Sequence, residues 1–454
     1  MRTTLKRYKQ KKQNKKTKKQ KQEKEKKINS KTKQFEYTIV GGGITGLYCY
    51  YKLLKERKIN PKTSILFEKS NKLGGRIQTI NVKKNNIEHS FETGAGRFSS
   101  NHKLLIELIQ ELGLNKKKYK ISGDSTFITN NKKFEKYESV YYYFKNVLKE
   151  SKKKTDDYLR TRSYIDYCIE VLGKDIGNYL QKAYSYNDAF KTNAYDALRL
   201  FKNSMNPKSN QYYILIGGMS QIIGKLREKI LKMGGTIKLN SEIKNIKYKN
   251  NCFMFDCKST KKRKKCETKK IILALPKTAL EKIKILKPIK PMLDSVGQSP
   301  LMRIYAIFKK EDIWFKNIGK MNTDNKLRFI IPIDKKKGSI MISYGDEEYA
   351  EFWNRIIQNS KSKKEWKTKL MKYVRELFGN EIKDPIWIEK YYWKQGVSYW
   401  KPNSISKKVS EEIIQPLKSN GNKIPLFICG SNYSMITAWS EGGLLSVNEF
   451  FEKI

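Results

Sequence analysis

The stretch Glu36-Tyr-Thr-Ile-Val-Gly-Gly-Gly-Ile-Thr-Gly46 decides how this chain is expected to fold. Its first half is a short β-branched run of the kind that forms a buried parallel strand. Gly41, Gly43 and Gly46 then follow in G-x-G-x-x-G spacing, which suits a tight turn, a close approach to a pyrophosphate and helix-on-strand packing. A helix is predicted at about Thr45–Glu56, with its N-terminal amides facing that phosphate. The stretch therefore predicts a dinucleotide site.

A second strand and an acidic residue complete the unit. The apolar run Ser64–Phe67 is followed by Glu68, in the position expected for a carboxylate that binds a ribose diol. A lone G-x-G-x-x-G is weak evidence because glycine-rich turns are common. Strand, glycines, helix, strand and acid in one unit make the dinucleotide interpretation the stronger one.

Four further motifs occur in a fixed order along the chain. They are Asn71-Lys-Leu-Gly-Gly-Arg76, Phe91-Glu-Thr-Gly-Ala-Gly-Arg-Phe98, Cys429-Gly-Ser431 and Ala438-Trp-Ser-Glu-Gly-Gly443. In these motifs the chain resembles the flavin-containing amine oxidoreductases, and the resemblance runs discontinuously over residues 35–454. It implies that the dinucleotide is FAD.

The resemblance also implies which residues hold FAD. The residue matching Ile243 offers its backbone to the adenine, and Ser398 stands where some relatives carry a flavin-linked cysteine, so FAD is expected to be non-covalent. The acid that usually follows the C-terminal glycine is replaced by Ser431. The predicted cofactor residues are Gly41, Gly43, Gly46, Glu68, Gly75, Arg76, Gly94, Ala95, Gly96, Ile243, Gly430, Ser431 and Ser440.

The implied architecture is α/β, with a Rossmann-like FAD-binding domain interleaved with an α+β substrate domain. A disordered Lys-rich tail precedes both. The predicted boundaries are 1–34 for the tail, 35–100, 211–276 and 420–454 for the FAD-binding domain, and 101–210 and 277–419 for the substrate domain.

Three residues are predicted to carry the chemistry. Arg303 stands where the family has a lysine that holds a water against flavin N5. An arginine cannot accept a proton in the useful pH range, so it is expected to anchor the water or to pair with a carboxylate. Tyr399 and Trp439 are predicted as facing aromatic walls that orient the amine and exclude water.

Arg97 bears on the substrate. The segment around it resembles the L-amino-acid oxidase branch, in which that arginine binds the substrate carboxylate bidentately. The partner tyrosine of that branch is expected within Arg328–Pro332, where Ile330 and Ile331 stand instead.

The function predicted from this resemblance is an FAD-dependent oxidase. A hydride passes from the α-carbon of an amine or α-amino acid to flavin N5, and an imine and then H₂O₂ result, with O₂ as the second substrate. One alternative is a desaturase or protoporphyrinogen-oxidase type of enzyme. Another is a flavoprotein with vestigial catalysis that binds nucleic acid through its basic tail and surface.

The charge of the chain is extreme. Its 454 residues include 96 Lys and Arg against 44 Asp and Glu, a formal net charge of +52. Residues 1–34 have almost no apolar side chains and cannot bury enough surface to fold. The tail is interpreted either as a nuclear-import or nucleic-acid arm or as a solubilising segment. For the body, codon bias in an AT-rich genome, a giant DNA virus among others, is the favoured explanation.

The number and spacing of the cysteines and histidines argue against a metal site and against a catalytic triad. The six cysteines form no C-x-x-C pair, and two histidines, His89 and His102, leave little room for a metal site or a catalytic triad. No apolar run approaches the length of a membrane helix. The protein is expected to be intracellular, cytoplasmic or nuclear, or in host cytoplasm or virion if viral.

Periodicity predicts several elements outside the motifs. A helix is expected at Asn101–Leu112, a hairpin at Phe127–Phe134, and a mostly helical region from Glu138 to Asn203 with breaks near two glycines. A further helix is expected to begin with Ser220 as its N-terminal cap.

Overall fold

The structure is a computed structural model that describes residues 33–204, 210–259, 263–419 and 421–453. Almost all of the predicted tail lies outside these residues. Its last two residues do not, because the first strand begins at Lys33, where Lys33 pairs with Cys266 of a neighbouring strand. The predicted end of the tail at residue 34 was therefore wrong by two residues.

The strands are numbered in chain order. They are β1 Lys33–Val40, β2 Ser64–Phe67, β3 Thr79–Lys84, β4 Ile87–Glu92, β5 Phe98–Ser99, β6 Lys118–Ile121, β7 Thr126–Ile128, β8 Tyr212–Leu215, β9 Thr236–Lys238, β10 Ser241–Lys249, β11 Cys252–Ser259, β12 Arg263–Leu273, β13 Val296–Ile307, β14 Met321–Thr323, β15 Phe329–Asp334, β16 Ser339–Asp346, β17 Trp387–Trp400, β18 Leu417–Ser419, β19 Asn422–Ile424 and β20 Leu426–Ile428.

The α-helices are numbered in the same way. They are α1 Ile44–Lys55, α2 Lys103–Glu111, α3 Val140–Ser151, α4 Asp156–Arg160, α5 Tyr164–Leu172, α6 Lys174–Ala183, α7 Asp188–Lys191, α8 Ala194–Ser204, α9 Ser220–Lys232, α10 Lys277–Leu280, α11 Lys290–Asp294, α12 Glu347–Asn359, α13 Lys363–Phe378, α14 Ser406–Ile413 and α15 Ser440–Phe451.

The larger sheet has β1, the strand that precedes the glycine turn, at its centre. Strands β20, β12, β1, β2 and β9 are parallel, and β10 and β11 extend β12 in antiparallel fashion. Ile39 of β1 and Leu66 of β2 are fully buried, as expected where both faces of a parallel sheet are covered. Helices α1, α9 and α15 contribute Leu47, Leu226 and Leu444 to the same core.

A second sheet is built from the middle of the chain, in the order β17-β13-β16-β15-β14-β7. Side chains of β13 alternate between its faces, as the period of two requires. Ile304 packs in one core with Trp353 of α12, while Tyr305 packs in another with Phe91 of β4. This sheet therefore contacts β4. The division of the chain into two domains remains our proposal.

Helices α3 to α8 form a third core around Phe144 and Tyr164. The prediction of a mostly helical region from Glu138 to Asn203 is confirmed. The chain breaks at Gly173, whose φ is +85°, whereas Gly177 lies inside α6. None of the described helices is both long enough and apolar enough to span a membrane.

Two local predictions were wrong. The segment Phe127–Phe134 is not a hairpin, because β7 pairs in parallel with β14, nearly 200 residues further along the chain. The pairing of β7 with β14 takes the place of the predicted local hairpin. Ser220 does not cap α9, whose cap is Met219; the Ser220 hydroxyl accepts a hydrogen bond from the Thr79 amide instead.

Candidate active site

The glycine turn after β1 is shaped by close contacts on one side and open space on the other. Gly41 has a φ of +112°, a conformation that side chains rarely adopt. A Cβ on Gly46 would collide with the carbonyl oxygen of Gly41, so α1 packs directly on the turn. A Cβ on Gly43 would meet nothing within 4 Å. The turn thus leaves room for a ligand at Gly43.

The acid at the end of β2 is held beside this turn. Glu68 Oε2 accepts a hydrogen bond of 2.7 Å from the Gly42 amide, and Oε1 accepts one of 2.8 Å from the Ser70 amide. These bonds place the carboxylate on the wall of the cavity that the glycine turn borders.

The Gly-Gly-Arg loop joins three distant segments. The Gly74 amide donates to the Gly42 carbonyl at 2.8 Å. Arg76 donates from Nη1 to the Gly396 carbonyl and from Nη2 to Ser431 Oγ, both at 3.1 Å. Burial lowers the pKa of Arg76. Ser431, which replaces an acid, is thus the hydroxyl partner of a buried guanidinium.

The acidic segment after β4 packs on the same loop. The Ala95 amide donates to the Arg76 carbonyl at 2.9 Å. The carboxylate of Glu92 accepts hydrogen bonds from the Met219 amide at 2.6 Å and from the Thr79 hydroxyl at 3.0 Å. Burial raises the pKa of Glu92, and these two bonds partly offset the effect.

A single cavity of about 2770 Å³ connects these segments. Fifteen of the predicted site residues line it, and Gly46 and Tyr399 do not. The fifteen are Gly41, Gly43, Glu68, Gly75, Arg76, Gly94, Ala95, Gly96, Arg97, Ile243, Arg303, Gly430, Ser431, Trp439 and Ser440.

The N-termini of two helices also border the cavity. Gly43 is the cap of α1 and Trp439 is the cap of α15, and neither side chain accepts a capping hydrogen bond. The N-terminus of a helix favours an anionic or polar ligand. A cofactor with phosphates at one end and a polar ring at the other fits this pair of helix ends.

Residues 44–446 match the family described as flavin containing amine oxidoreductase. The chain belongs to this family. The match begins after β1 and takes in the other strands of both sheets and the helical region between them. FAD is therefore the cofactor for which this cavity is built, and the open space at Gly43 and the two helix ends are consistent with it.

Individual relatives are distant. Achacin of Lissachatina fulica is 22% identical over 298 residues, which are 55% of this chain and 55% of achacin, so the match spans about half the length of that relative. A double mutant of putrescine oxidase superposes with a TM-score of 0.71 at 15% identity and covers 93% of this chain and 100% of its own. Wild-type putrescine oxidase bound to putrescine gives 0.70 at 14%, covering 93% and 99%. At these identities the structures show the shared fold.

The structure does not place Tyr399 on the wall of this cavity. Its ring lies against Gly297 of β13, where a Cβ would collide with it, and its charged neighbours are Lys191, Glu347 and Asp188. The preceding residue, Ser398, lines the cavity and donates to Asn432 Oδ1 at 2.8 Å. Successive side chains of a strand point to opposite faces. Tyr399, which follows Ser398 on β17, therefore points away from the cavity that Ser398 lines.

The aromatic partner of Trp439 is Tyr212 instead. Their rings are stacked at 22° with centroids 6.5 Å apart. His102 packs edge-on against Trp439 at 4.7 Å. Burial, and secondarily the charge of Arg97, lower the pKa of His102 to about 4. The imidazole is therefore neutral at physiological pH.

Arg97 lies among these rings. Its guanidinium carbon is 4.6 Å from the centroid of Tyr212, 5.7 Å from that of Tyr186 and 5.9 Å from that of Trp439. Its Nη2 donates to the Tyr186 hydroxyl at 2.6 Å. Within the part of the chain that the structure describes, Arg97 forms no ion pair with Asp or Glu.

Two tyrosines of this site were missed by the sequence analysis. The sequence analysis assigned no residue role to Tyr186 or to Tyr344. Their rings are 6.0 Å apart and both line the cavity. The position of Tyr344 on a buried strand was the available signal; no local signal singled out Tyr186, which lies in the loop between α6 and α7.

Arg328 explains how that loop is held. It is fully buried and donates hydrogen bonds to the Lys182 carbonyl at 2.5 Å and to Asn187 Oδ1 at 2.8 Å, with further bonds to the Gln181 and Tyr184 carbonyls. It therefore fixes the chain on both sides of Tyr186. The arginine thus has a structural task.

Arg303 lies on β13, beside the end of β4. Its Nη1 donates to the Glu92 carbonyl at 2.8 Å, and its guanidinium carbon is 5.0 Å from the centroid of Tyr344. Its Nε is buried and has no partner among the described residues.

Proposed function

We propose that this protein is an FAD-dependent oxidase of an α-amino acid. The substrate loses a hydride from its α-carbon and a proton from its nitrogen to become an imine, which water hydrolyses to a 2-oxo acid and ammonia. Bound FAD supplies the acceptor for the hydride and passes the two electrons to O₂, giving H₂O₂. The observation that carries the proposal is the environment of Arg97.

The Arg97 guanidinium lies against aromatic rings and forms no ion pair with a carboxylate among the described residues. Its positive charge is therefore only partly balanced. Removing a charge from water is costly unless an opposite charge replaces the lost hydration. Stacking on Tyr212 and the bond to Tyr186 supply part of that compensation. A substrate carboxylate would supply the rest, and its two oxygens suit the planar donor set of arginine.

The two tyrosine hydroxyls support the same ligand. Burial raises the pKa values of Tyr186 and Tyr344, so both stay protonated at neutral pH. A neutral hydroxyl can donate a hydrogen bond to a carboxylate, whereas a phenolate would repel it. The sequence analysis expected half of this clamp to be absent, because Ile330 and Ile331 occupy the segment where a tyrosine was sought. We propose that Tyr186 and Tyr344 fill that role from other segments.

The stacked rings of Trp439 and Tyr212 form the apolar part of the site. In our proposal they confine the substrate and exclude water from the reacting carbon. Arg303 holds the end of β4 through the Glu92 carbonyl. It cannot act as a base, because a guanidinium stays protonated throughout the useful pH range.

A diamine is the less favoured substrate. The putrescine oxidases share the fold, but a second ammonium group brought near Arg97 would face a like charge. The experiment is anaerobic mixing of the holoprotein with a panel of amino acids and of amines that lack a carboxylate. We expect amino acids to bleach the flavin absorbance and, in air, to yield H₂O₂. Faster bleaching by diamines would overturn the proposal.

A further inference from the structure

A second cation lines the cavity on the side of Arg97. Lys320 lies immediately before β14, and its backbone carbonyl accepts a hydrogen bond of 3.1 Å from the Thr126 amide of β7. Its ammonium group donates to the Ser122 carbonyl. Two backbone contacts thus hold this lysine on the cavity wall.

Lys320 has no carboxylate within ion-pair distance among the described residues. The charge of Asp124 favours the protonated form of Lys320 from beyond ion-pair distance, and Asp124 Oδ2 accepts a hydrogen bond of 2.8 Å from the Ser122 hydroxyl. Burial, and then the charge of Arg97, lower the pKa of Lys320 to about 8. At pH 7 the amine is therefore still mostly protonated.

Arg97 and Lys320 carry like charges that repel each other. Such a pair is unusual in a partly buried site. Each would be stabilised by a nearby anion, and one anion on Arg97 leaves Lys320 unmatched. The +52 charge of the whole chain does not explain the pair, because surface lysines remain in water. A ligand with two anionic groups would match both.

Resting on the proposed function, we infer that the substrate is an α-amino acid with a second carboxylate on its side chain. Its α-carboxylate contacts Arg97 and its side-chain carboxylate contacts Lys320. Tyr141, which is 52% exposed, lies near Arg97 and Asp124 at the same end of the site. The reaction that supplies the substrate is then one that releases an acidic amino acid.

The test compares matched substrates on the holoprotein. Aspartate, glutamate and 2-aminoadipate vary the distance between the carboxylates, while asparagine, glutamine and norleucine remove the second charge. We expect at least one dicarboxylic acid to exceed its neutral counterpart in kcat/KM by about tenfold or more, the equivalent of one strong contact. Lys320→Met should remove that preference.

The matched control is Lys316→Met, which removes an exposed lysine of the same segment that does not line the cavity. It should leave the preference intact. If neutral amino acids are oxidised as well as dicarboxylic ones, or if both lysine variants behave alike, the inference is wrong while the proposed oxidase function stands.

A binding measurement separates the inference from the oxidation. Glutarate carries two carboxylates and no amine, and butyrate carries one. Glutarate should raise the melting temperature of the protein more than butyrate does, and Lys320→Met should abolish the difference. Failure of all amino acids to bleach the flavin would overturn the proposed function, yet a Lys320-dependent glutarate effect would still support a dianion site. Equal shifts with glutarate and butyrate would overturn the dianion site.

Discussion

The guanidinium carbon of Arg97 lies 4.6 Å from the centroid of the Tyr212 ring. These residues are more than 110 positions apart and meet because β8, which begins at Tyr212, pairs with β5, which follows Arg97. The contact places a cation on the face of an aromatic wall of the cavity. In our proposal, this contact makes the charge of the substrate the property that the site detects.

Replacing Arg97 tests this arrangement. Loss of a bidentate charged contact costs about 2–5 kcal/mol, so Arg97→Ala should raise the KM for an amino acid by about a hundredfold. An amine without a carboxylate should be unaffected or improved. Steady-state kinetics on both substrate types is the measurement, and unchanged amino-acid kinetics would assign Arg97 a structural role.

Two glycines of the turn should respond differently to one added methyl group. Gly46→Ala forces a Cβ against the Gly41 carbonyl and should destabilise the FAD-free protein by about 1–3 kcal/mol. Gly43→Ala meets no protein atom within 4 Å and should leave that stability within about 0.5 kcal/mol. It should nevertheless weaken FAD binding, because the methyl group occupies the space left for the cofactor. Urea titration and flavin retention on gel filtration give the two values; equal stability losses would contradict the geometry.

The flavin itself should be removable. Ser398 cannot form the thioether that a cysteine forms, and its hydroxyl is engaged with Asn432. The purified protein should be yellow and should release intact FAD when denatured by acid or heat. Flavin that stays on the denatured chain would show a covalent link elsewhere.

The two aromatic residues predicted as walls should now differ in effect. Trp439→Ala removes a ring that lines the cavity and should lower kcat/KM about tenfold or more. Tyr399→Phe removes a hydroxyl outside the cavity and should leave the kinetics unchanged. Comparable losses in both variants would restore Tyr399 to the site.

His102 should make stability depend on pH. Its pKa is about 4 in the folded protein and about 6.5 in the unfolded chain, so below pH 6.5 the unfolded chain binds the extra proton. Stability is unaffected by this group above that pH and falls as the pH decreases towards 4, by about 2 kcal/mol at pH 5. Denaturant unfolding of wild type and of His102→Asn at pH 7 and pH 5, at one fixed FAD concentration, measures the difference. Equal pH dependence in the two proteins would contradict the prediction.

The basic tail can be tested without disturbing the sheet. Residues 1–32 carry 15 Lys and Arg and 2 Glu, a net charge of +13, and their removal leaves β1 whole. If the tail is a nucleic-acid arm, full-length protein should bind DNA or RNA without sequence preference, with an affinity that falls steeply with salt. The truncated protein should bind more weakly and with a smaller salt slope. Unchanged affinity and slope would leave the solubilising interpretation.

The cofactor half of the site could be predicted because its residues are close together in the sequence. The turn at Gly41, the helix after Gly43 and the acid Glu68 belong to one strand–turn–helix–strand unit, in which local backbone geometry fixes the direction of each group. The prediction that this unit borders a cofactor cavity needed no long-range contact. The order of the later motifs was likewise sufficient to indicate the family.

The substrate half depended on tertiary structure. Tyr399 was predicted in the site from its motif. Because side chains alternate along β17, its ring points to the other face of the strand and packs against Gly297. Tyr186 reaches the site because a buried Arg328 fixes its loop. Lys320 reaches it because β14 pairs with β7. Which side chains meet across such a cavity is determined by packing between segments far apart in the chain, and the sequence carries no local record of that packing.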